Sequence, residues 1–254
     1  MRIVVKVGTS TLAYGTGRMN LKRTRLLCET LIDLKNAGNQ VLLVSSGAIG
    51  MGIGKLGLKE KPSDIPTKQA AASVGQCELM YAYDRIFSEY GYSVGQILLT
   101  GSDFSTTERL FNFTNTMERL LELNVLPIIN ENDTVATEEI KVGDNDTLSA
   151  LVAVNTKADL LVILSDIDGL YTADPKKDEN AKRISLVKEI TPELLKIAGG
   201  EGSKLGTGGM RTKLQAATLC MEKGCEMVIA SGENPTILYD IVDGQEVGTK
   251  FSNK

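Results

Sequence analysis

A chain of 254 residues, 42% hydrophobic and 24% charged, has a globular composition with ample apolar material for a large core. Its net charge of −4, without a basic block, argues against nucleic acid or an anionic membrane as main partner, and apolar runs such as residues 160–164 are too short to span a bilayer. Histidine is absent, which removes the commonest general base and zinc ligand, while 25 glycines, many clustered, favour loops that bring backbone close to a ligand.

The chain opens on Arg2-Ile3-Val4-Val5-Lys6-Val7, a strand pattern with no signal peptide. A lysine inside this strand is costly to bury unless its ammonium meets an anion at the strand end; the alternative is a solvated face. Gly8-Thr9-Ser10 turns the chain, and Gly15-Thr16-Gly17-Arg18 reads as a flexible loop. Leu27, Leu31 and Leu34 lie at helical spacing within residues 21–36, and Val41-Leu42-Leu43-Val44 is a buried strand of the parallel type.

That strand runs into Ser45-Ser46-Gly47-Ala48, small residues that offer backbone N–H groups at a helix start. Two nucleotide signatures nearby fail. Gly52-Ile53-Gly54-Lys55-Leu56-Gly57 matches GxGxxG but is separated from the strand and followed by no closing acid. Gly54-Lys55 suggests a Walker A ending, yet Ile49 and Leu56 occupy the positions of its first glycine and its hydroxyl. Helices are expected over residues 67–90 and 106–123, with strands over 94–99 and 125–129. This alternation predicts an α/β protein, a three-layer αβα sandwich around a mainly parallel sheet.

The second strand of that pair ends in Asn130-Glu131-Asn132-Asp133, and residues 134–142 read as a hairpin. Then comes Lys141-Val142-Gly143-Asp144-Asn145-Asp146-Thr147, ahead of a helix over residues 147–157. Asp144, Asn145 and Thr147 each suit its cap; a cap uses one, and the surplus points to a bound partner. Residues 159–164 form a strand ending at Ser165-Asp166, with Asp168-Gly169 as a turn. Residues 176–182 are solvated surface, 199–209 a mobile glycine-rich loop that delivers Met210-Arg211-Thr212-Lys213 to a helix, and 228–230 a further strand, after which residues 235–247 close the domain. The four cysteines read as reduced core residues. The two halves, about 1–150 and 151–254, read as lobes of one domain sharing one sheet.

In a parallel sheet all C-terminal strand ends open on one edge. That edge gathers Lys6 and Gly8, Ser45 and Ser46, Asp133 and Asp146, and Ser165 and Asp166, with Lys213 after the glycine loop. Two lysines aimed at one place call for a polyanion such as a phosphate chain, and Asp146 between them would hold both when the ligand is away. Phosphoryl transfer needs positioning and charge neutralisation, which suits a chain without histidine. A carboxylate acceptor has no proton to lose, so it is favoured over an alcohol; Asp133 or Asp144 would then hold a substrate ammonium.

The strings Val5-Lys6-Val7-Gly8-Thr9-Ser10, Ser45-Ser46-Gly47-Ala48, Asn130-Glu131-Asn132-Asp133, Lys141-Val142-Gly143-Asp144-Asn145-Asp146, Gly169-Leu170-Tyr171-Thr172-Ala173-Asp174-Pro175 and Gly206-Thr207-Gly208-Gly209-Met210-Arg211-Thr212-Lys213 occur in order along nearly the whole chain. Together they resemble the amino acid kinase family, in its glutamate-phosphorylating branch. The resemblance implies the amino acid kinase fold and ATP- and Mg²⁺-dependent phosphorylation of the L-glutamate γ-carboxylate, the first step of proline synthesis, in the cytoplasm. It places the acceptor in the N-terminal lobe and ATP on the C-terminal lobe. By motif, Lys6 and Lys213 contact the transferring group and Asp146 organises them. Ser46, Asp133 and Asn145 bind glutamate. Lys6, Gly8, Ser165, Asp166, Thr207, Gly208, Gly209, Met210, Arg211, Thr212 and Lys213 bind ATP, with Mg²⁺ carried on the phosphates and no dedicated protein ligands. Self-association, inhibition by proline and hand-off to glutamyl phosphate reductase are family expectations. Members often carry a C-terminal PUA domain, for which a chain ending at Lys254 leaves no room. The rival readings are a sister kinase acting on N-acetylglutamate, aspartate, carbamate or a nucleoside monophosphate, and a non-catalytic amino acid and nucleotide sensor.

Overall fold

The computed structural model describes residues 1–16, 18–136, 145–175, 177–198 and 209–253. In chain order the elements are β1 (Arg2–Val7), α1 (Thr9–Leu12), α2 (Leu21–Asn36), β2 (Gln40–Ser45), α3 (Ala48–Leu56), α4 (Ile65–Glu89) and β3 (Val94–Leu99). Next come α5 (Gly101–Ser105), α6 (Thr107–Glu122), β4 (Leu126–Glu131), α7 (Asn145–Asn155), β5 (Leu160–Ser165), β6 (Leu170–Tyr171) and β7 (Arg183–Ile184). The rest are β8 (Leu186–Val187), α8 (Pro192–Ala198), α9 (Met210–Glu222), β9 (Glu226–Ser231), α10 (Ile237–Val242) and β10 (Thr249–Phe251). Among the described residues no helix is long and apolar enough to cross a membrane.

Among the described residues, eight strands make one sheet in the order β3-β4-β2-β1-β5-β9-β10-β8. From β3 to β9 every pairing is parallel, and β10 alone runs antiparallel to its neighbour β9. Strand alternation divides β1 between two cores. Ile3, Val5 and Val7 pack with Leu27 and Leu31 of α2, Leu79 and Tyr83 of α4, and Leu238 of α10. Val4 packs on the other face with Met117 of α6, Leu148 of α7 and Leu214 of α9. Each such buried aliphatic side chain contributes about 1.5–3 kcal/mol. Lys6 shares the Val4 face, so the fold aims it at the layer containing α7 and α9.

Glycine sets how closely α3 and α4 approach. A Cβ on Gly52 would lie 1.8 Å from the Ala71 carbonyl oxygen, and one on Gly75 would lie 1.8 Å from that of Ala48. The two helices therefore meet backbone to backbone, which seats the start of α3 against the middle of α4. Gly75→Ala is expected to lower stability by about 3 kcal/mol, because the obstacle is main chain and cannot rotate away. A thermal midpoint unchanged from wild type would contradict it.

Several expectations need correction. Cys28, Cys220 and Cys225 are buried, but Cys77 is exposed, since it lies on the outer face of α4. The helix expected over 106–123 is α6, but a short helix not expected from the sequence, α5, precedes it: Thr100 and Asp103 form a capping box that starts α5, and Thr106 is extended between the two. The helix expected from 147 begins at Asn145, so Asn145 and Asp146 occupy its first turn, where the helix dipole favours an acid. Most of the hairpin expected over 134–142, with Asp144, the 199–208 part of the glycine loop and Lys176, lies outside the described residues.

Candidate active site

Three elements converge on one carboxylate. Asp146, in the first turn of α7, is fully buried. The Lys6 ammonium, from β1, forms an ion pair with its Oδ1 at 2.6 Å. The Lys213 ammonium, from the first turn of α9, donates to its Oδ2 at 3.0 Å. The Thr212 hydroxyl also reaches Asp146 Oδ2, at 3.0 Å, and the Gly209 carbonyl oxygen, at 2.8 Å. Both lysines are about 5% exposed or less. A Cβ on Gly8 would come within 3.8 Å of Lys6 Nζ, so the turn after β1 runs beside the ammonium.

Burial pushes the Asp146 carboxyl towards its neutral form, but the charges of Lys6 and Lys213 and their hydrogen bonds outweigh it. Its pKa stays below the usual carboxylate range. Two ammonium groups around one carboxylate, at the N-termini of α7 and α9, leave the cluster with a surplus of positive charge. Such a surplus suits a phosphate chain, and Asp146 is ion-paired to both lysines.

A neutral amide network adjoins the cluster through Asn145. Asn145 Nδ2 donates to Ser46 Oγ at 2.7 Å and to Asn130 Oδ1 at 2.9 Å. Asn130 Nδ2 donates to Gln76 Oε1 at 2.9 Å, and the Glu131 backbone N–H donates to Asn130 Oδ1 at 2.9 Å. Ser46 follows β2 and precedes Gly47, which caps α3 with φ +113°, a conformation that only glycine adopts without strain. The Ser46 hydroxyl is thereby held at the start of α3, across from the start of α7.

The structure thus brings Lys6, Gly8, Asp146, Thr212 and Lys213 into one cluster, joined through Asn145 to Ser46. Asp133 lies half-buried in the turn after β4, and Ser165 ends β5, where its hydroxyl donates to the exposed Asp166 at 3.0 Å. Both are at the C-terminal strand ends, on the side of the sheet where the cluster lies. Gly209 and Met210 lead into α9, and Arg211 points to solvent. Thr207 and Gly208 are outside the described residues. Asp168 instead accepts from Tyr171 at 2.9 Å and from Arg183 at 3.2 Å, tying the turn that precedes β6 to the β6–β7 pair. Asn130 and Gln76 were missed as site residues, although Asn130 belongs to the polar run that ends β4.

The amino acid kinase family model matches residues 1–231. A glutamate 5-kinase from Listeria welshimeri is 54% identical over 259 residues, covering 100% of this chain and 93% of that protein. One from Clostridium tetani is 54% identical over 250 residues, covering 98% and 94%. Among solved structures, carbamate kinase from Giardia lamblia bound to AMP-PNP superposes with a TM-score of 0.67 at 15% identity, covering 98% of each chain, a likeness of fold. The strand order, the helices on both faces of the sheet and these matches agree: the chain belongs to the amino acid kinase family.

Proposed function

We propose that the protein transfers the γ-phosphoryl group of ATP to the γ-carboxylate of L-glutamate, giving L-glutamyl 5-phosphate and ADP. The observation that carries this is the convergence of Lys6 and Lys213 on Asp146, with the Asn145–Ser46 pair alongside. The identity of about 54% to proteins named glutamate 5-kinase supports glutamate over the sister acceptors.

The reaction forms a bond from a γ-carboxylate oxygen to the γ-phosphorus and breaks the bond from that phosphorus to the β–γ bridging oxygen. No proton moves in the transfer, which accords with a chain that has no histidine. Lys213 and Lys6 meet the charge on the phosphoryl oxygens as it redistributes. Asp146 orients both ammonium groups. Ser165, Asp166 and the residues from Thr207 to the start of α9 take the nucleotide, with Gly8 leaving room beside Lys6. Mg²⁺ accompanies ATP on its phosphates and spreads their negative charge when bound. Ser46, Asn145 and Asp133 receive the amino acid, Asp133 as partner of its ammonium.

The test is ATP-dependent hydroxamate formation in the presence of hydroxylamine, compared across glutamate, N-acetylglutamate, aspartate and carbamate. Strongest turnover with N-acetylglutamate would transfer the protein to a sister activity, and nucleotide binding without ADP release would make it a sensor. Asp133→Ala is expected to raise the KM for glutamate about tenfold or more with little change in the KM for ATP, the mark of a lost ground-state contact. An unchanged glutamate KM would put the ammonium elsewhere. We also propose that the chain has two lobes, about 1–150 for the acceptor and 151–254 for ATP, acts in the cytoplasm, self-associates and is subject to feedback by proline. An acyl phosphate is hydrolysis-prone, which favours prompt hand-off to a reductase.

A further inference from the structure

We propose that Gln76, on α4, is a positioning residue that sets the hydrogen-bond polarity of the acceptor pocket. Through Asn130 it makes Asn145 present its amide oxygen, and Ser46 its hydroxyl hydrogen, to the bound amino acid. The inference rests on the glutamate reading above.

Gln76 is 8% exposed and Asn130 2% exposed, so neither amide has water with which to correct a wrong orientation. Gln76 Oε1 accepts from Asn130 Nδ2, which leaves the Asn130 oxygen as the atom facing Asn145. The Glu131 backbone N–H, which can only donate, holds the same oxygen from the other side. Asn145 must therefore turn its nitrogen inward. Both Nδ2 hydrogens are used, one on Asn130 and one on Ser46 Oγ, and the carbonyl oxygen of Asn145 is left for a donor. Ser46 Oγ, already accepting, keeps its own hydrogen for an acceptor. An amino acid offers both complements, an ammonium that donates and a carboxylate that accepts.

Gln76 cannot drift from this position. Gly75 beside it is pressed on the Ala48 carbonyl at the start of α3, the helix that follows Ser46, so the glutamine and the serine share one rigid contact. The Gln76 Nε2 amide is buried and has no partner among the described residues. An unmet buried donor costs about 1–3 kcal/mol, so the glutamine is held here for its oxygen, which Asn130 uses, at the expense of its nitrogen.

Gln76→Met keeps the length and removes both hydrogen-bonding atoms. The buried Asn130 nitrogen then lacks its acceptor, and the amide is released to rotate. The expected result is a rise of about tenfold in the KM for glutamate, with kcat and the KM for ATP each within about twofold of wild type. In an Asn145→Ala background, the same change should add less than about twofold, because no amide is left to orient. A simple loosening of α4 would give the same factor in both backgrounds, and that result, or an unchanged KM in the single variant, would overturn the proposal. Should Gln76→Met not fold, Gln76→Ser, too short to reach Asn130, is held to the same two numbers. Wild-type protein that fails to phosphorylate glutamate would sink the underlying reading instead.

Discussion

Lys213→Ala is expected to lower kcat by about 10²–10³-fold while the KM for glutamate stays within about twofold. The Lys213 ammonium stands at the N-terminus of α9 with its charge directed at Asp146, and a phosphoryl group arriving between Lys6 and Lys213 would share both cations. As the bond to the bridging oxygen weakens, charge moves onto ADP and the peripheral oxygens, and an ammonium fixed in a buried site stabilises that state more than the ground state. On the proposed reading glutamate meets the Ser46 and Asn145 side of the site, and it would lose no contact in this variant. The readout is ADP release at saturating and limiting glutamate. A kcat within about tenfold of wild type would remove Lys213 from the chemistry.

Asp146→Asn should have the largest effect on stability. The substitution keeps the shape of the side chain but leaves two buried ammonium groups around a neutral amide. Removing one member of a buried ionic cluster costs about 3–5 kcal/mol, chiefly because the remaining charges lose their counter-ion. Urea unfolding without nucleotide should show a midpoint shifted down by the corresponding amount. ATP with Mg²⁺ should then stabilise the variant more than it stabilises wild type, since phosphates supply the missing negative charge. Equal stabilisation of the two proteins would mean that the phosphates do not reach Lys6 and Lys213.

The same carboxylate sets an acid limit. Its pKa is lower in the folded protein than in the unfolded chain, so the unfolded state binds the proton more readily. Its contribution is complete above the unfolded value of about 3.9 and is lost as pH falls through the folded one. Asp146→Asn should therefore flatten that part of the stability profile below about pH 4.

The layered fold and the charged cluster were legible in the sequence for one reason. Strands such as Val41-Leu42-Leu43-Val44 announce burial on both faces, and against that background Lys6 and Asp146 are residues that local rules do not explain. Elements that depend on tertiary context were harder to see. Thr249-Lys250-Phe251 is too short to show a period, and it is a strand only because β8 and β9 flank it. Gln76 lies in a helix with many polar residues, where glutamine reads as surface. Its burial depends on Gly75 admitting the α3 backbone and on Asn130 reaching it from β4, two facts of packing that no spacing encodes.

The placement of β1 bears on how the protein is made. This strand is synthesised before both of its sheet neighbours, β2 and β5, between which it lies mid-sheet, and its lysine meets an anion encoded 140 positions later, at Asp146. The reactive centre is consequently among the last features to mature during synthesis. Until then the nascent chain carries an apolar ribbon with one side unsheathed, a natural client for holding factors and a point of vulnerability whenever translation stalls before β5 emerges.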